Sequence, residues 1–425
     1  MTLEDNSKEN NTVSNEILKK FQYSPSLLYH WINSFGLNNT INILEQLRNP
    51  PNSLWIQVNT DIIDYDSLYD IFEENEFDVQ RHTLFDDFLE VKVKKREIKE
   101  KYYTYPAIRV DVESASNIAL GKDVHTSAVT KHDKFAAGER VRIVDLAGST
   151  IAVATSEVES KEISKLSQRI IARVTESFGY APPLTELKEY RRGYFNILTP
   201  AQTVGVKSLY LDKQDNILVM SVDRGEVAGY IAKLTNHKCP ITVIARNEMH
   251  LKAVKKQLKR IKSKAIRVIH TPFLQFLRDL HEIKYSSIYV ELPNSRTALM
   301  PVFSSNLSIS KLKQMAKSQL NVLSNLYRCL HGQASISYIT HSLDYLENEN
   351  VFKSILGKAY YDSQSFPEEI RLLQNKEKLK TRKPEFKEER LYEKENEKAT
   401  IFLDPIETQN NGGFIAKFKF KQKET

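Results

Sequence analysis

Residues Ile217–Ala245 read ILVMSVDRGEVAGYIAKLTNHKCPITVIA. Ile217–Met220 is an apolar run of the length of a buried strand. A polar break follows, Ser221 to Glu226, with Gly225 as its one glycine. Val227–Leu234 then reads as an amphipathic helix, Asn236-His237-Lys238-Cys239-Pro240 as a loop, and Ile241–Ala245 as a second apolar strand. Strand, helix, strand in this order makes a βαβ unit, whose two strands must run parallel.

The same alternation continues downstream. Apolar strands recur at Ile266–Ile269, Ser287–Val290 and Ala334–Ile339, with helices expected at His250–Lys262, Leu274–Leu280 and Lys311–Leu330. This pattern predicts an open, mostly parallel α/β sheet with helices on both faces, a Rossmann-like fold. Asn375–Lys398 is a mixed-charge run poor in apolar residues, so a mobile loop is expected over 375–398. Gly413–Phe420 reads as a closing strand.

Upstream the texture differs. Helical spacing runs from Ser24 to Leu47, ended by Pro50-Pro51; Ser53–Val58 alternates like a strand, Asp66–Glu74 reads as a helix and Phe88–Val93 as a strand. These make a small α+β unit. Lys92–Lys101 is densely charged and reads as a solvated strand edge and linker. Short β patterns at Ala107–Asp111, Arg140–Val144 and Ile151–Ala154, with turn signals at Ala137-Gly138 and Ala147-Gly148, mark a compact β-rich module. The first residues, Met1–Ser14, are polar and acidic, and residues 1–22 are expected to be disordered.

Composition bounds the function. Lys+Arg total 61 against 54 Asp+Glu, a net charge of +7, which suits a nucleic-acid partner without demanding one. Two cysteines, Cys239 and Cys329, can form neither a disulfide framework nor a zinc site, so no metal is expected and a reducing, cytoplasmic setting is. No apolar run is long enough to span a membrane, so no membrane partner is expected. The chain holds no G-x-x-x-x-G-K-S/T, H-E-x-x-H or C-x-x-C motif.

Ordered motifs carry a family resemblance. Ala119–Val124, the Gly138-Glu139-Arg140-Val141 step and the Asp145-Leu146-Ala147-Gly148-Ser149 turn resemble a PUA domain. Ser53–Thr60 resembles a strand ending R-V-N-T, with Gln57 in place of arginine; Val174–Ser177 and Gly193-Tyr194-Phe195 resemble the link into a catalytic domain; Phe414-Ile415-Ala416-Lys417 resembles a closing F-x-A-K strand. Tyr338-Ile339-Thr340-His341-Ser342-Leu343 with Glu347-Asn348-Glu349 fits Y-S-T-C-S-L…E-N-E without a gap. Together these resemble the RsmB/NSUN-type RNA cytosine-C5 methyltransferases, in the PUA-containing branch that methylates tRNA.

The resemblance implies a Rossmann-like S-adenosylmethionine (SAM) methyltransferase fold over 204–425. It implies an RRM-like α+β unit over 23–102, continued by 163–203, and a PUA module over 103–162. It implies structured RNA, tRNA or rRNA, as partner, with Gly121, Lys122, Lys131, Lys134 and Arg140 as candidates for the RNA face. Glycine lets a backbone approach RNA, and the cations can neutralise phosphates. An active methyltransferase subunit or a ribosomal particle are further partners in keeping with it.

The family's site motifs are altered. Its D-M-x-A-A-P-G-G-K-T loop reads Val219-Met220-Ser221-Val222-Asp223-Arg224-Gly225-Glu226-Val227-Ala228 here. Glu226 sets an anion where the SAM carboxylate would approach, and about 4 kcal/mol of repulsion would weaken binding about a thousandfold. The ribose-binding acid falls at Ala245 and the acid near adenine at Pro272. D-A-P-C-S-G reads Glu291-Leu292-Pro293-Asn294-Ser295-Arg296, so the positions of the two thiols hold Asn294 and His341. C5 methylation needs a thiolate to add to C6, and an amide is no nucleophile. The expectation is an RNA-binding pseudoenzyme that needs no cofactor. The alternative is a divergent SAM-dependent RNA methyltransferase acting elsewhere than C5. His341 is read as a polar strand-end residue, with a base or ligand role as the alternative. Lys252, Lys255, Lys256, Lys259, Arg260 and Lys262 make a basic helix that either holds RNA phosphates or is a solvated face.

Overall fold

The computed structural model describes residues 18, 20–21, 23–96, 98, 103–212, 215–263, 266–279, 283–303, 307–356, 359–361, 370 and 399–420. The expected loop at 375–398 and most of the expected N-terminal tail lie outside these residues. The chain forms two units, 1–52 with 93–183 and 300–311, and 53–92 with 184–299 and 312–425.

The second unit is built around one large sheet. In chain order its elements are α1 (Pro200–Lys207), β1 (Ile217–Ser221), α2 (Glu226–Leu234), β2 (Ile241–Ala245), α3 (Glu248–Arg260), β3 (Ile266–His270), α4 (Phe273–Asp279), β4 (Tyr285–Glu291), α5 (Ile309–Asn325), β5 (Leu330–Thr340), α6 (Glu349–Leu356), β6 (Ala359–Tyr361), β7 (Thr400–Leu403) and β8 (Gly413–Phe420). The strand order is β3-β2-β1-β4-β5-β8-β6, with β7 also pairing β8. The first five strands are mutually parallel, and β8 runs antiparallel to β5 in the register Ile336↔Phe418 to Thr340↔Phe414. The order reverses between β1 and β4, where an open α/β sheet leaves a crevice at its strand ends.

Every residue of β1 and β2 is buried, as a parallel strand covered on both faces requires. One apolar core unites Val219, Val243, Tyr289 and Ile339 of the sheet with Val227 and Ile231 of α2 and Val254, Leu258 and Ile261 around α3. The same core takes in Trp55, Phe88 and Leu198 from a four-stranded antiparallel sheet ordered 195–198, 53–58, 88–92, 79–81. So the strand at 195–198 returns to pair with Ser53–Val58, Val58↔Phe195 to Trp55↔Leu198.

The first unit holds a six-stranded sheet in the order 124–125, 170–177, 150–156, 140–144, 107–110, 129–132. Its two edge strands are separated in sequence only by the 3-10 turn Thr126–Ala128, so the sheet must curl until its edges approach. Two expectations are corrected here. The module does not end at 162: Ile170–Ser177 pairs with Thr150–Ser156, Ala172↔Ser156 to Ser177↔Ala152, and belongs to this sheet. Nor do Ser24–Leu47 form one helix within a 23–102 unit. Gly36, at φ +80°, separates Pro25–Phe35 from Leu37–Gln46. Both helices cluster with the β-rich module, where the Arg48 guanidinium lies 3.6 Å from the buried carboxylate of Asp145. The charged segment after Val93 is partly strand, Lys94 and Lys95 pairing with Tyr180 and Gly179.

Candidate functional site

The C-terminal ends of β1, β4 and β5 converge on Glu291, the last residue of β4. Its side chain is buried, and Oε2 accepts hydrogen bonds from Gln202 Nε2 (3.1 Å) and Ser221 Oγ (3.0 Å). Oε1 lies 3.3 Å from Nδ1 of His341, just past the end of β5. Burial raises the carboxyl's pKa, but the hydrogen bond and charge of His341, with those two donors, outweigh it and hold Glu291 below its ordinary value. The other imidazole nitrogen, Nε2, is 2.7 Å from Thr199 Oγ1. That hydroxyl also caps α1 by accepting from the Gln202 N–H, and the Gln202 side chain bonds back to the Thr199 N–H in a capping box. His341 is 3% exposed, so its ring is fixed from both sides within the fold.

Asn294 and His341, the two positions that the resemblance sets at the family's thiols, are neighbours. Asn294 Oδ1 accepts from the His341 N–H (3.2 Å) and the Arg296 N–H (3.0 Å), while Nδ2 donates to the Leu292 carbonyl (2.9 Å). The carboxamide thus ties the loop after β4 to the end of β5. Arg296 has φ +57°, a conformation that costs most residues energy and that glycine adopts freely. Behind this loop Glu347 accepts from the Ser295 N–H (3.1 Å) and Gln319 Nε2 (2.8 Å), and Gln319 also donates to the Pro293 carbonyl (2.9 Å). Burial raises the Glu347 carboxyl above its ordinary value.

The loop before α2 binds itself. Asp223 Oδ1 accepts from the Gly225 N–H, and Glu226 Oε2 accepts from the Arg224 N–H at 2.9 Å. Glu226 also meets the Arg224 guanidinium at 3.4 Å. Gly225, at φ +108°, turns the chain into the helix. Val222 donates its N–H to the Glu291 carbonyl (3.0 Å). His250 Nε2 bonds the Asp223 carbonyl (2.6 Å) while its Nδ1 accepts from the Arg246 N–H (3.2 Å), the neutral tautomer that its buried setting favours. Burial, then the charges of Glu226 and Glu291, push the Asp223 carboxyl up to about 7. Ala245 ends β2 with no polar side chain, and Pro272 precedes α4. Among the described residues no cluster of three or more His, Cys, Asp or Glu could hold a metal.

The chain's two cysteines are elsewhere. Cys239 precedes β2 and Cys329 precedes β5, each at the start of its strand, and both are buried. Burial pushes the Cys239 thiol up and the Cys329 thiol up to about 12, so neither offers a thiolate near neutral pH.

The candidate RNA residues of the β-rich module divide. Gly121 follows the helix Val112–Ala119 at φ +96°, and a Cβ there would meet the Tyr180 ring at 3.2 Å, so the turn alone requires glycine. Exposed Lys122 is beside it, near the edge strand 124–125. Lys131 is on the opposite edge strand, 129–132, and Lys134 just beyond, both exposed. Arg140 opens the strand Arg140–Val144 and lies 3.4 Å from Glu176. Sequence reasoning missed Thr199, Gln202, Ser221 and Gln319. The Thr199-Pro200 start of a helix with glutamine at the third position was the one available signal, a capping box.

Comparison with known proteins agrees with this architecture. The PUA domain profile matches residues 106–178 and the profile of the 16S rRNA methyltransferase RsmB/F family matches residues 206–419. A tRNA (cytosine(72)-C(5))-methyltransferase of Pyrococcus horikoshii is 22% identical over 338 residues, covering 79% of this chain and 86% of that protein. The crystal structure of NSun6 from Pyrococcus horikoshii with SFG superposes with a TM-score of 0.81 at 21% identity, over 96% of this chain and 100% of that one. That of a methyltransferase homologue from Pyrococcus horikoshii does so at 0.57 and 14% identity, over 96% and 99%. The fold is a Rossmann-like methyltransferase fold with a PUA domain, and among the described residues no helix is long and apolar enough to cross a membrane. With half of its length matched by the family profile, the chain belongs to the RsmB/F family of 16S rRNA methyltransferases, in the branch that carries a PUA domain.

Proposed function

We propose that this protein acts by binding structured RNA, tRNA or rRNA, and does not methylate C5 of cytosine. The observation that carries this reading is the placement of the thiols. C5 transfer needs a nucleophile that adds to C6 of the base, and both cysteines are buried with raised pKa values at the opposite ends of the strands from Glu291 and His341. The positions that the resemblance sets at the family's cysteines hold Asn294, whose amide bridges two loops, and His341, whose ring is bonded on both nitrogens.

The residues at the family's cofactor positions do not fit SAM. The amides of Arg224 and Gly225 already bond to side-chain oxygens of Glu226 and Asp223, and Glu226 sets an anion where a carboxylate would have to dock. Ala245 offers no acceptor for a ribose hydroxyl. The PUA domain supplies the RNA-binding surface, and Lys122, Lys131 and Lys134 are among its exposed cations. An active methyltransferase subunit or a ribosomal particle would be a partner in the cytoplasm.

Incubation with tritiated SAM and bulk RNA, beside an active family member, tests this. The expected result is RNA binding in a gel shift without label transfer. Transfer to any RNA atom at comparable protein concentration would establish a divergent methyltransferase instead, and the labelled atom would name its chemistry.

A further inference from the structure

The basic helix α3 is not required to be basic by its fold. Its core contacts come from Val254 and Leu258, with Ile261 just beyond its end. On the opposite side Lys252, Lys255, Lys256, Lys259 and Lys262 are all exposed. Lys252 meets Glu248 at 3.7 Å, and both are well solvated. Among the described residues Lys255, Lys256, Lys259 and Lys262 have no ion-pair partner. Arg260, which the sequence grouped with them, is withdrawn from the surface: its guanidinium donates to the carbonyls of Tyr190 (2.6 Å) and Phe195 (3.0 Å). Lysines at i, i+3, i+4 and i+7 lie on one stripe, and from Lys252 to Lys259 it runs about 10 Å along the axis. Like charges at these spacings repel and disfavour the helix, a cost that a bound polyanion removes.

We propose that this stripe is a second RNA-binding face, contacting the phosphate backbone without reading bases, and distinct in sequence from the PUA domain. The proposal rests on the RNA-binding reading above and extends it to the methyltransferase-type domain. A basic amphipathic helix also suits a membrane surface, but that needs a free apolar face, and here that face is spent in the core. Lysine, a hydrated point charge without the planar fork of arginine, suits phosphate neutralisation rather than base readout.

The test uses the full chain and a folded tRNA transcript, with Kd measured by fluorescence anisotropy across 50–200 mM KCl. Replacing Lys252, Lys255, Lys256 and Lys259 together by glutamine should lower the slope of log K against log salt by about 3, at roughly 0.7–0.9 per lost phosphate contact. Affinity at low salt should fall tenfold or more, with the thermal midpoint unchanged. Lys131→Gln with Lys134→Gln should weaken binding separately, and the two effects should multiply. Should the quadruple variant fold poorly, Lys255→Gln with Lys256→Gln is read instead, for about half that change. Wild-type slope and affinity in the variants, with the wild type binding RNA, overturn this inference alone. A wild type that binds no RNA removes the functional reading as well. Wild-type RNA binding by the variants together with lost binding of polyglutamate would reassign the stripe to an acidic protein, and overturn it.

Discussion

Replacing Asp223 by asparagine should stabilise the protein at neutral and alkaline pH, and do progressively less as the pH falls. The Asp223 carboxyl is raised from its ordinary 3.8 to about 7 by burial and by the Glu226 and Glu291 charges. Its Oδ2 has no hydrogen-bond partner among the described residues. A carboxyl whose pKa is higher in the folded chain holds its proton there after the unfolded chain has lost it. Folding stability therefore falls as the pH rises from about 4 to about 7, and the loss is complete above that. About three pH units at 1.36 kcal/mol each set an upper bound of about 4 kcal/mol. Because Glu226 and Glu291 share the proton's environment, the observable effect is nearer 2 kcal/mol. Asparagine keeps the acceptor for the Gly225 N–H and removes the charge that Glu226 and Glu291 oppose. The assay is urea unfolding of wild type and variant at pH 4.5, 6, 7.5 and 8.5. The variant's advantage should grow through the first three and level off. An advantage that does not change with pH, or a variant less stable than wild type at pH 8.5, would refute the reasoning.

Three other outcomes are expected. Gly193→Ala would set a methyl 2.3 Å from the Arg260 carbonyl at φ +83°, so a loss of about 3 kcal/mol or more is expected in thermal unfolding; an unchanged midpoint would contradict the close approach. Asn294→Ala removes three hydrogen bonds from the β4 loop and should cost about 2 kcal/mol in urea unfolding, whereas a loss below 0.5 kcal/mol, estimated on the same scale as roughly one weak bond, would mean the bridge is incidental. Asn294→Cys combined with His341→Cys should still transfer no tritium from SAM to tRNA, because the loop before α2 is unchanged; transfer would show that the thiols were all that was missing.

The parallel sheet was legible because its strands carry mostly apolar runs spaced by helices. Ile217–Met220 and Ile241–Ala245 lie where the pattern put them. The closing strand Gly413–Phe420 was equally plain. Local pattern failed where pairing partners are distant. Ile170–Ser177 joins the β-rich sheet through partners some twenty residues back, and nothing in its own composition assigns it to that module rather than the next. Gly36 splits a run whose apolar spacing reads as continuous, because one left-handed residue breaks a helix without altering periodicity. At the site, Asn294, His341 and Glu291 were singled out by their neighbours in sequence, but Thr199 and Gln202 were not. Gln202 reaches Glu291 from 89 residues upstream and Thr199 reaches His341 from 142 residues upstream, which only the tertiary fold brings near. Arg260 shows the reverse error: a charge in a basic run that points inward, held by backbone carbonyls.

The loop before α2 has a consequence for chemical probes. Asp223 and Glu226 occupy its amides as tethered groups, always present at high effective concentration, and so compete with any free carboxylate that would bind there. Cofactor mimics that inhibit active relatives through their amino-acid carboxylate should leave this protein untouched at doses that silence the others. On the RNA-binding reading proposed above, such a compound would separate the two populations in a cell extract, blocking catalytic members while leaving this chain's RNA contacts in place.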